Sequence, residues 1–158
     1  MWIVKPANLS RGRGIYLVEN PSEVSVEDTS VISRYISNPL LINGHKFDLR
    51  LYVVLTSIEP LRIYIYKEGL ARFASEQYIG EKVSKDNKYV HLTNYSINKK
   101  NDNFVHNDNL EADDHGFKWS LSAFCKHLQS VGIDMDLFWS RIYDVIIKSI
   151  ISGEAHIL

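Results

Sequence analysis

Apolar and polar positions alternate with period two over much of the first half of the chain, and this alternation predicts strands. Residues 2–5 and 14–18 read as short apolar strands around the Ala7–Arg13 loop, a hairpin-like unit. Asn20-Pro21-Ser22-Glu23 supplies a capping residue, a proline at the first helical position and an acid, so a brief helical turn is expected. Val31–Ile36 reads as a further strand, stopped by Asn38-Pro39. A long strand over 46–57 follows, then a turn at Glu59-Pro60, a strand Leu61–Tyr66, a turn at Lys67-Glu68-Gly69 and a strand Leu70–Ala74. With no helical period between them, these segments predict an antiparallel meander instead of alternating βαβ units. Residues 98–116 are rich in Asn, Asp, Lys and His and poor in apolar residues, which predicts a long polar loop. Beyond it the period changes to helical. Leu121, Phe124, Cys125 and Leu128 share one face, and Phe138, Ile142, Val145, Ile146 and Ser149 another. The expected fold class is α+β, a mainly antiparallel sheet followed by two amphipathic helices that cover one of its faces.

At 158 residues the chain is long enough to bury a core as a single domain. A net charge of -1 argues against wholesale nucleic-acid binding and leaves room for a local basic groove. Cys125 is the single cysteine, so no internal disulfide can form and a reducing, cytoplasmic compartment is the simpler expectation. No signal peptide and no apolar run of membrane-spanning length is evident, so no membrane partner is expected. The chain opens almost directly on a strand and closes in Ile150-Ile151-Ser152-Gly153-Glu154 without an evident cap, which suggests a fragment of a longer protein.

Two segments carry candidate chemistry. Lys5 ends an apolar strand, where its amine can reach a phosphate held over the next loop; there Gly12 and Gly14 let backbone N–H groups approach and Arg11 and Arg13 add charge. Taken alone the glycines are better explained by an ordinary tight turn, and no P-loop pattern is present. Lys46, Asp48 and Arg50 fall at i, i+2 and i+4 of an otherwise apolar strand, on the face opposite Phe47, Leu49 and Leu51. Charges there are costly to bury without a partner, so the face meets something polar. A nucleotide is the leading candidate, its phosphates clamped by the cations and its ribose hydroxyls bonded to the carboxylate; a self-satisfied salt-bridge ladder on an exposed face is the alternative. Tyr35-Ile36 could offer backbone groups to an adenine edge. Arg72, beside a glycine turn, suits bidentate capture of a carboxylate but also reads as an exposed strand arginine. His91-Leu92-Thr93-Asn94-Tyr95-Ser96 is a dense hydrogen-bonding run that equally reads as a polar turn. The six histidines, His45, His91, His106, His115, His127 and His156, lack metal-ligand spacing, so no metal site is assigned to them.

Together WIVKP, SRGRGI, SRYISNPLLINGHKFDLRLYV, PLRIYIYKEGLARFA, HLTNYSINK and KWS resemble the tubulin tyrosine ligase-like family of ATP-grasp enzymes, in the family's order and with similar gaps, from residue 2 to about residue 120. DVIIKSIIS at 144–152 is similar to the helix that follows in the family. Within the family the chain looks most like the polyglutamylases. The resemblance implies that residues 1–158 are the central part of a catalytic domain, a partial ATP-grasp domain incomplete at both ends, with 98–116 a polar loop inside it. It implies an ATP-dependent ligase that phosphorylates the γ-carboxylate of a glutamate in a tubulin C-terminal tail and joins free L-glutamate to it through an isopeptide bond. By position, Lys5, Arg11, Gly12, Ser33, Arg34, Tyr35, Ile36, Lys46, Asp48, Thr93 and Asn94 would line the ATP site. Arg72, Tyr95, Ser96 and Lys118 would hold the incoming glutamate, and Arg11 would also face the acceptor chain. Arg50 would stabilise charge as the acyl phosphate forms and collapses. The family's Glu-x-Asn metal motif is absent from these residues, so ligands for Mg2+ are expected beyond residue 158 and the chain alone is expected to be inactive. A glycylase or tyrosine ligase shares the same ATP site. An inactive short isoform, or a module that only binds acidic tubulin tails through Arg11, Arg13 and nearby lysines, is the non-catalytic alternative. A cytoskeletal location, in a cilium or basal body, follows from the family alone.

Overall fold

The alternating segments do form strands, although not in meander order. The structure, a computed structural model, describes residues 1–25, 27, 29–80, 84–105 and 113–153. Strands β1 (Trp2–Pro6), β2 (Tyr16–Val18) and β3 (Ser30–Arg34) make a sheet ordered β2-β1-β3, antiparallel throughout. Val4 pairs with Tyr16 on one side and Ile32 on the other and is wholly buried. The expected helical turn is a 3₁₀ turn at Pro21–Glu23: the Asn20 side chain accepts from Ser22 N, and Asn20 N donates 2.7 Å to the Glu23 carboxylate. β3 ends at Arg34, short of the expected Val31–Ile36; Tyr35, its backbone N–H bonded to Met1 O, is buried and Ile36 is exposed.

β4 (Leu41–Ile42) and β5 (His45–Arg50) form a hairpin whose two turn residues, Asn43 and Gly44, have φ of 52° and 80°. Such a turn twists with its strands, and glycine takes the second position without steric cost. A four-stranded sheet runs β4-β5-β8-β9, with β8 at Leu70–Gln77 and β9 at Lys118–Ser120. The single strand expected over 46–57 is broken at Leu51-Tyr52; β6 (Val53–Ser57) pairs instead with β7 (Arg62–Ile65) as a separate antiparallel ribbon. At the break the chain approaches itself: a Cβ on Gly69 would collide with the Arg50 carbonyl oxygen, so only glycine fits there.

Two four-residue helices, α1 (Lys88–His91) and α2 (Tyr95–Asn98), occupy the stretch whose bland reading was a polar turn. Of the polar loop expected over 98–116, residues 99–105 and 113–117 carry turns and bends without helix or strand, and 106–112, His106 among them, lie outside the described residues, as do Glu154 and His156. α3 (Leu121–Ser130) starts on a Ser120 cap and buries Leu121, Phe124 and Leu128, as its periodicity predicts. α4 (Met135–Gly153) is the second expected helix. None of its residues is fully buried; Phe138, Trp139, Ile142, Ile146 and Ile150 are half-buried, and Leu137, Tyr143, Val145, Ile147 and Ile151 are exposed. No described helix is long and apolar enough to cross a membrane.

The chain divides into two compact units, Met1–Asp48 with Arg72–Lys118 and Leu49–Ala71 with Trp119–Leu158. The first is centred on buried Leu17, Tyr35, Tyr78 and Val90, with Ile3 and Leu41 packed against them. In the second, Phe124 packs on Phe138 with ring centroids 6.2 Å apart.

Candidate functional site

Strand alternation sets Lys5 on the same face of β1 as Ile3, which packs on the Tyr35 cluster. From β5, Lys46 reaches that cluster: its Nζ donates 3.0 Å to the Tyr35 hydroxyl and lies 4.3 Å from the centre of the Tyr35 ring. The ammonium is pulled down from the ordinary 10.5 to about 8, first by burial and then by repulsion from Lys5, with Asp48 opposing. Two amines that repel each other, with no carboxylate in ion-pair distance of either among the described residues, suit an anion between them.

Asp48 is already engaged. Alternation along β5 and β8 puts Phe47 and Phe73 on one side, rings 5.9 Å apart, and Asp48 and Arg72 on the other. Arg72 Nε and a guanidinium nitrogen donate to the two Asp48 oxygens at 2.9 and 2.5 Å, a bidentate pair of the strong kind. The nucleotide and glutamate positions read from the sequence are therefore joined directly.

Behind Lys46, the Tyr35 hydroxyl lies 2.8 Å from His91 Nδ1, and His91 Nε2 lies 3.0 Å from Ser84 O. Burial raises the Tyr35 phenol above its ordinary range. Burial also lowers His91; the Ser84 carbonyl opposes this and the Lys46 charge adds to it.

The basic loop and the segment 91–96 meet. Ser96 Oγ donates 2.8 Å to Arg11 O. Arg11 and Gly12 both have positive φ, 60° and 78°, and a Cβ on Gly12 would lie 2.8 Å from Asn94 Oδ1 and collide with the Ile97 side chain. Gly12→Ala is accordingly expected to lower stability by about 1–3 kcal/mol in a denaturant titration; an unchanged midpoint would mean that the loop relaxes freely.

What fixes α2 is Asn98, which is 1% exposed. Its Oδ1 accepts from Ser75 N and Ser75 Oγ, both at 2.8 Å, and its Nδ2 donates to Leu92 O at 2.7 Å and Asn94 O at 3.1 Å. Glu76 grips both flanks of the segment, accepting from Asn87 Nδ2 at 2.7 Å and Asn101 Nδ2 at 2.9 Å. Asn87 in turn caps α1. Between loop and helices opens a cleft of about 890 Å³ whose lining, among the described residues, includes Arg11, Arg13, Lys88, Lys99 and Lys100 and one acid, Asp86.

Lys5, Tyr35, Lys46, Asp48 and Arg72 thus converge in the first unit, and Arg11, Gly12, Asn94 and Ser96 form a second grouping there. Thr93 is buried beside them in sequence. Ser33 is half-buried and Arg34 exposed at the end of β3, Ile36 is 70% exposed, and Lys118 is exposed at the start of β9. Tyr95 is exposed, edge-on to Phe104 and with Lys99 Nζ 5.5 Å from its ring centre. Arg50 ends β5 and belongs to the second unit. Sequence reasoning missed Ser84, Asn98 and Glu76, and passed over His91 as anything but a turn residue. Among the described residues no group of three or more His, Cys, Asp or Glu could hold a metal ion.

The family described as Tubulin-tyrosine ligase family matches residues 1–158. The chain belongs to this family. An α+β chain of antiparallel sheets and four helices accords with part of a domain of that family. It is 51% identical over 153 residues to the tubulin polyglutamylase TTLL5 of Mus musculus, a match that takes in 97% of this chain and 12% of the relative. Over 152 residues it is 46% identical to the tubulin polyglutamylase ttll-5 of Caenorhabditis elegans, with 96% and 21% covered. Over 156 residues it is 45% identical to the tubulin monoglutamylase TTLL4 of Mus musculus, with 99% and 13% covered. The chain therefore spans between 12% and 21% of the length of these relatives, all of which carry glutamylase names.

Proposed function

We propose that the protein containing this chain is an ATP-dependent amino-acid ligase that joins free glutamate to glutamate side chains in tubulin C-terminal tails. The observation that carries the reading is the Lys5–Lys46 pair, two repelling amines that an anionic phosphate would relieve. The names of the glutamylase relatives supply tubulin and glutamate as its substrates.

In this reading residues 1–158 are the central part of the catalytic domain. The acceptor γ-carboxylate attacks the γ-phosphorus of ATP, and ADP leaves with the bond it breaks. The amine of free glutamate then attacks the acyl carbon, phosphate departs and the nitrogen loses a proton, leaving an isopeptide bond. Lys5, Lys46, Gly12, Asp48, Thr93, Asn94 and the Ser33–Ile36 backbone would line the nucleotide, and Arg50 would steady the charge that develops on phosphate. Arg72 would keep Asp48 oriented and, with Tyr95, Ser96 and Lys118, hold the incoming glutamate. Magnesium, when bound, would neutralise phosphate charge, its ligands lying beyond residue 158. The protein would work at the cytoskeleton, in a cilium or basal body.

Calorimetry with magnesium and ATP on the full-length protein tests the nucleotide site, and incorporation of labelled glutamate, glycine or tyrosine into tubulin-tail peptides tests the reaction. Binding that disappears in Lys46→Ala, with glutamate as the amino acid joined, is the expected result. ATP binding indifferent to Lys46 would sink the assignment of the site. Preference for glycine or tyrosine would move the protein to another branch.

A second reading, a module that only binds acidic tails, is favoured by the cleft, which among the described residues is lined by five basic residues and one acid. It predicts that a tail peptide binds without ATP, with an affinity that falls as salt rises. Both readings predict that salt dependence; only the module reading predicts peptide binding without any amino-acid incorporation.

A further inference from the structure

Tyr35 and His91 are 6% and 4% exposed, and the reaction above asks nothing of their side chains. Their hydrogen bonds nevertheless have a forced direction. Ser84 O, 3.0 Å from His91 Nε2, can only accept, so Nε2 carries the proton. The neutral ring then presents a lone pair at Nδ1, and the Tyr35 hydroxyl 2.8 Å away must donate to it. That leaves the Tyr35 oxygen as an acceptor, which the Lys46 ammonium uses at 3.0 Å while resting over the ring. Lys46 gives to Tyr35, Tyr35 to His91, and His91 to a backbone carbonyl. Each bond polarises the next.

We propose that Tyr35 and His91 are positioning residues that hold the Lys46 ammonium charged and aimed at phosphate, with Ser84 O fixing the direction of the whole chain. This rests on the reading of Lys46 as a nucleotide phosphate ligand. Lys5 pushes on the Lys46 amine and burial disfavours its charge, so an unanchored Lys46 would swing outward or lose its proton. An acceptor oxygen and an aromatic face beneath it oppose both.

The arrangement has an acid limit. The charged groups around the ring are Lys46, with Lys5 and Asp48 beside it on the strand side; Tyr78, just past the end of β8, stands edge-on at 6.1 Å, and Lys88 shares the helix of His91. A proton added to Nδ1 removes the acceptor that Tyr35 needs and sets an imidazolium against an ammonium. The change falls below the ordinary histidine value of 6.5, since burial lowers His91. ATP affinity should therefore decline on the acid side through His91, and on the alkaline side as Lys46 loses its proton from about 8 upward.

The test is ATP affinity in magnesium, measured from about pH 5 to about pH 9, on the full-length protein and on Lys46→Ala, Tyr35→Phe and His91→Gln. Nitrogen NMR of the His91 ring accompanies it. Tyr35→Phe should weaken ATP about tenfold at neutral pH and keep only the weaker part of the acid limb that charge repulsion between His91 and Lys46 supplies. In His91→Gln the amide can still accept from Tyr35 and donate to Ser84 but cannot titrate; it should bind more tightly than Tyr35→Phe and lack the acid limb. NMR should find the His91 proton on Nε2. A proton on Nδ1, or an acid limb that survives in both Tyr35→Phe and His91→Gln, overturns the proposal, and so does Tyr35→Phe with wild-type affinity while Lys46→Ala has lost binding. If Lys46→Ala binds ATP normally, the nucleotide reading itself has failed and the task of the relay falls with it.

Discussion

Lys46→Met is expected to weaken ATP binding severely and, at the same time, to stabilise the protein without ligand. On the proposed reading of Lys46 as a phosphate ligand, the loss of binding follows from removing a charge-assisted contact, a change of about a hundredfold in affinity. The gain in stability follows from the fold itself, which pulls the Lys46 ammonium from 10.5 down to about 8, chiefly by burial. Between those two values the unfolded chain holds a proton that the native state has given up, so native stability rises with pH across that window. Below about 8 the native state carries the full cost of the charge, and there the methionine variant gains most. After discounting for the part of the side chain that stays in contact with water, the gain is on the order of 1 kcal/mol. Thermal unfolding at neutral pH and near pH 10, with and without ATP, checks both halves. A variant less stable than wild type at neutral pH would show that the bond to Tyr35 outweighs the burial of charge.

Asn98→Leu is expected to be the most damaging single change in the first unit. The leucine is close in volume but abandons Ser75 N–H and the carbonyls of Leu92 and Asn94, all served by one buried amide. Leaving buried polar groups unpaired costs about 1–3 kcal/mol each, and partial rescue by water or rotation brings the expected loss to about 3–5 kcal/mol. Asn98→Asp should fare little better, since it keeps an acceptor for Ser75 and sets a carboxylate against two carbonyl oxygens. Urea titration measures both. A loss under about 1 kcal/mol would mean that α2 is held chiefly by other contacts.

The strand pattern made Lys5, Lys46 and Asp48 visible because period-two alternation states which residues share a face without any knowledge of the fold. It could not show that Asp48 answers Arg72, because that depends on β8 lying beside β5, a pairing set by residues far apart in sequence. The Asn43-Gly44 turn was legible and went unread; a two-residue Asn-Gly between two strand-like segments is a strong hairpin signal. The break after Arg50 was not legible, since it arises where Gly69 approaches from another part of the chain. The helices α1 and α2, at four residues each, are too short to display a period. His91 therefore looked like one more scattered histidine, and its role emerges only when Tyr35 and Ser84 stand on either side of it. The apolar period of α4 was read correctly as helical; amphipathicity alone does not say what, if anything, covers the stripe.

Glu76 and Asn98 have a consequence for how this region breathes. One carboxylate ties Asn87 to Asn101, and one amide ties the stretch between them to β8, so the residues from 87 to 101 cannot peel away piecemeal. They should exchange their amide hydrogens as one cooperative block. Thr93 and Asn94, assigned to the nucleotide, and Ser96, Lys99 and Lys100, lining the basic cleft, ride on that block together. A ligand that quiets one end quiets the other, so cleft and nucleotide site would sense each other's occupancy through shared ordering alone, with no hinge between them.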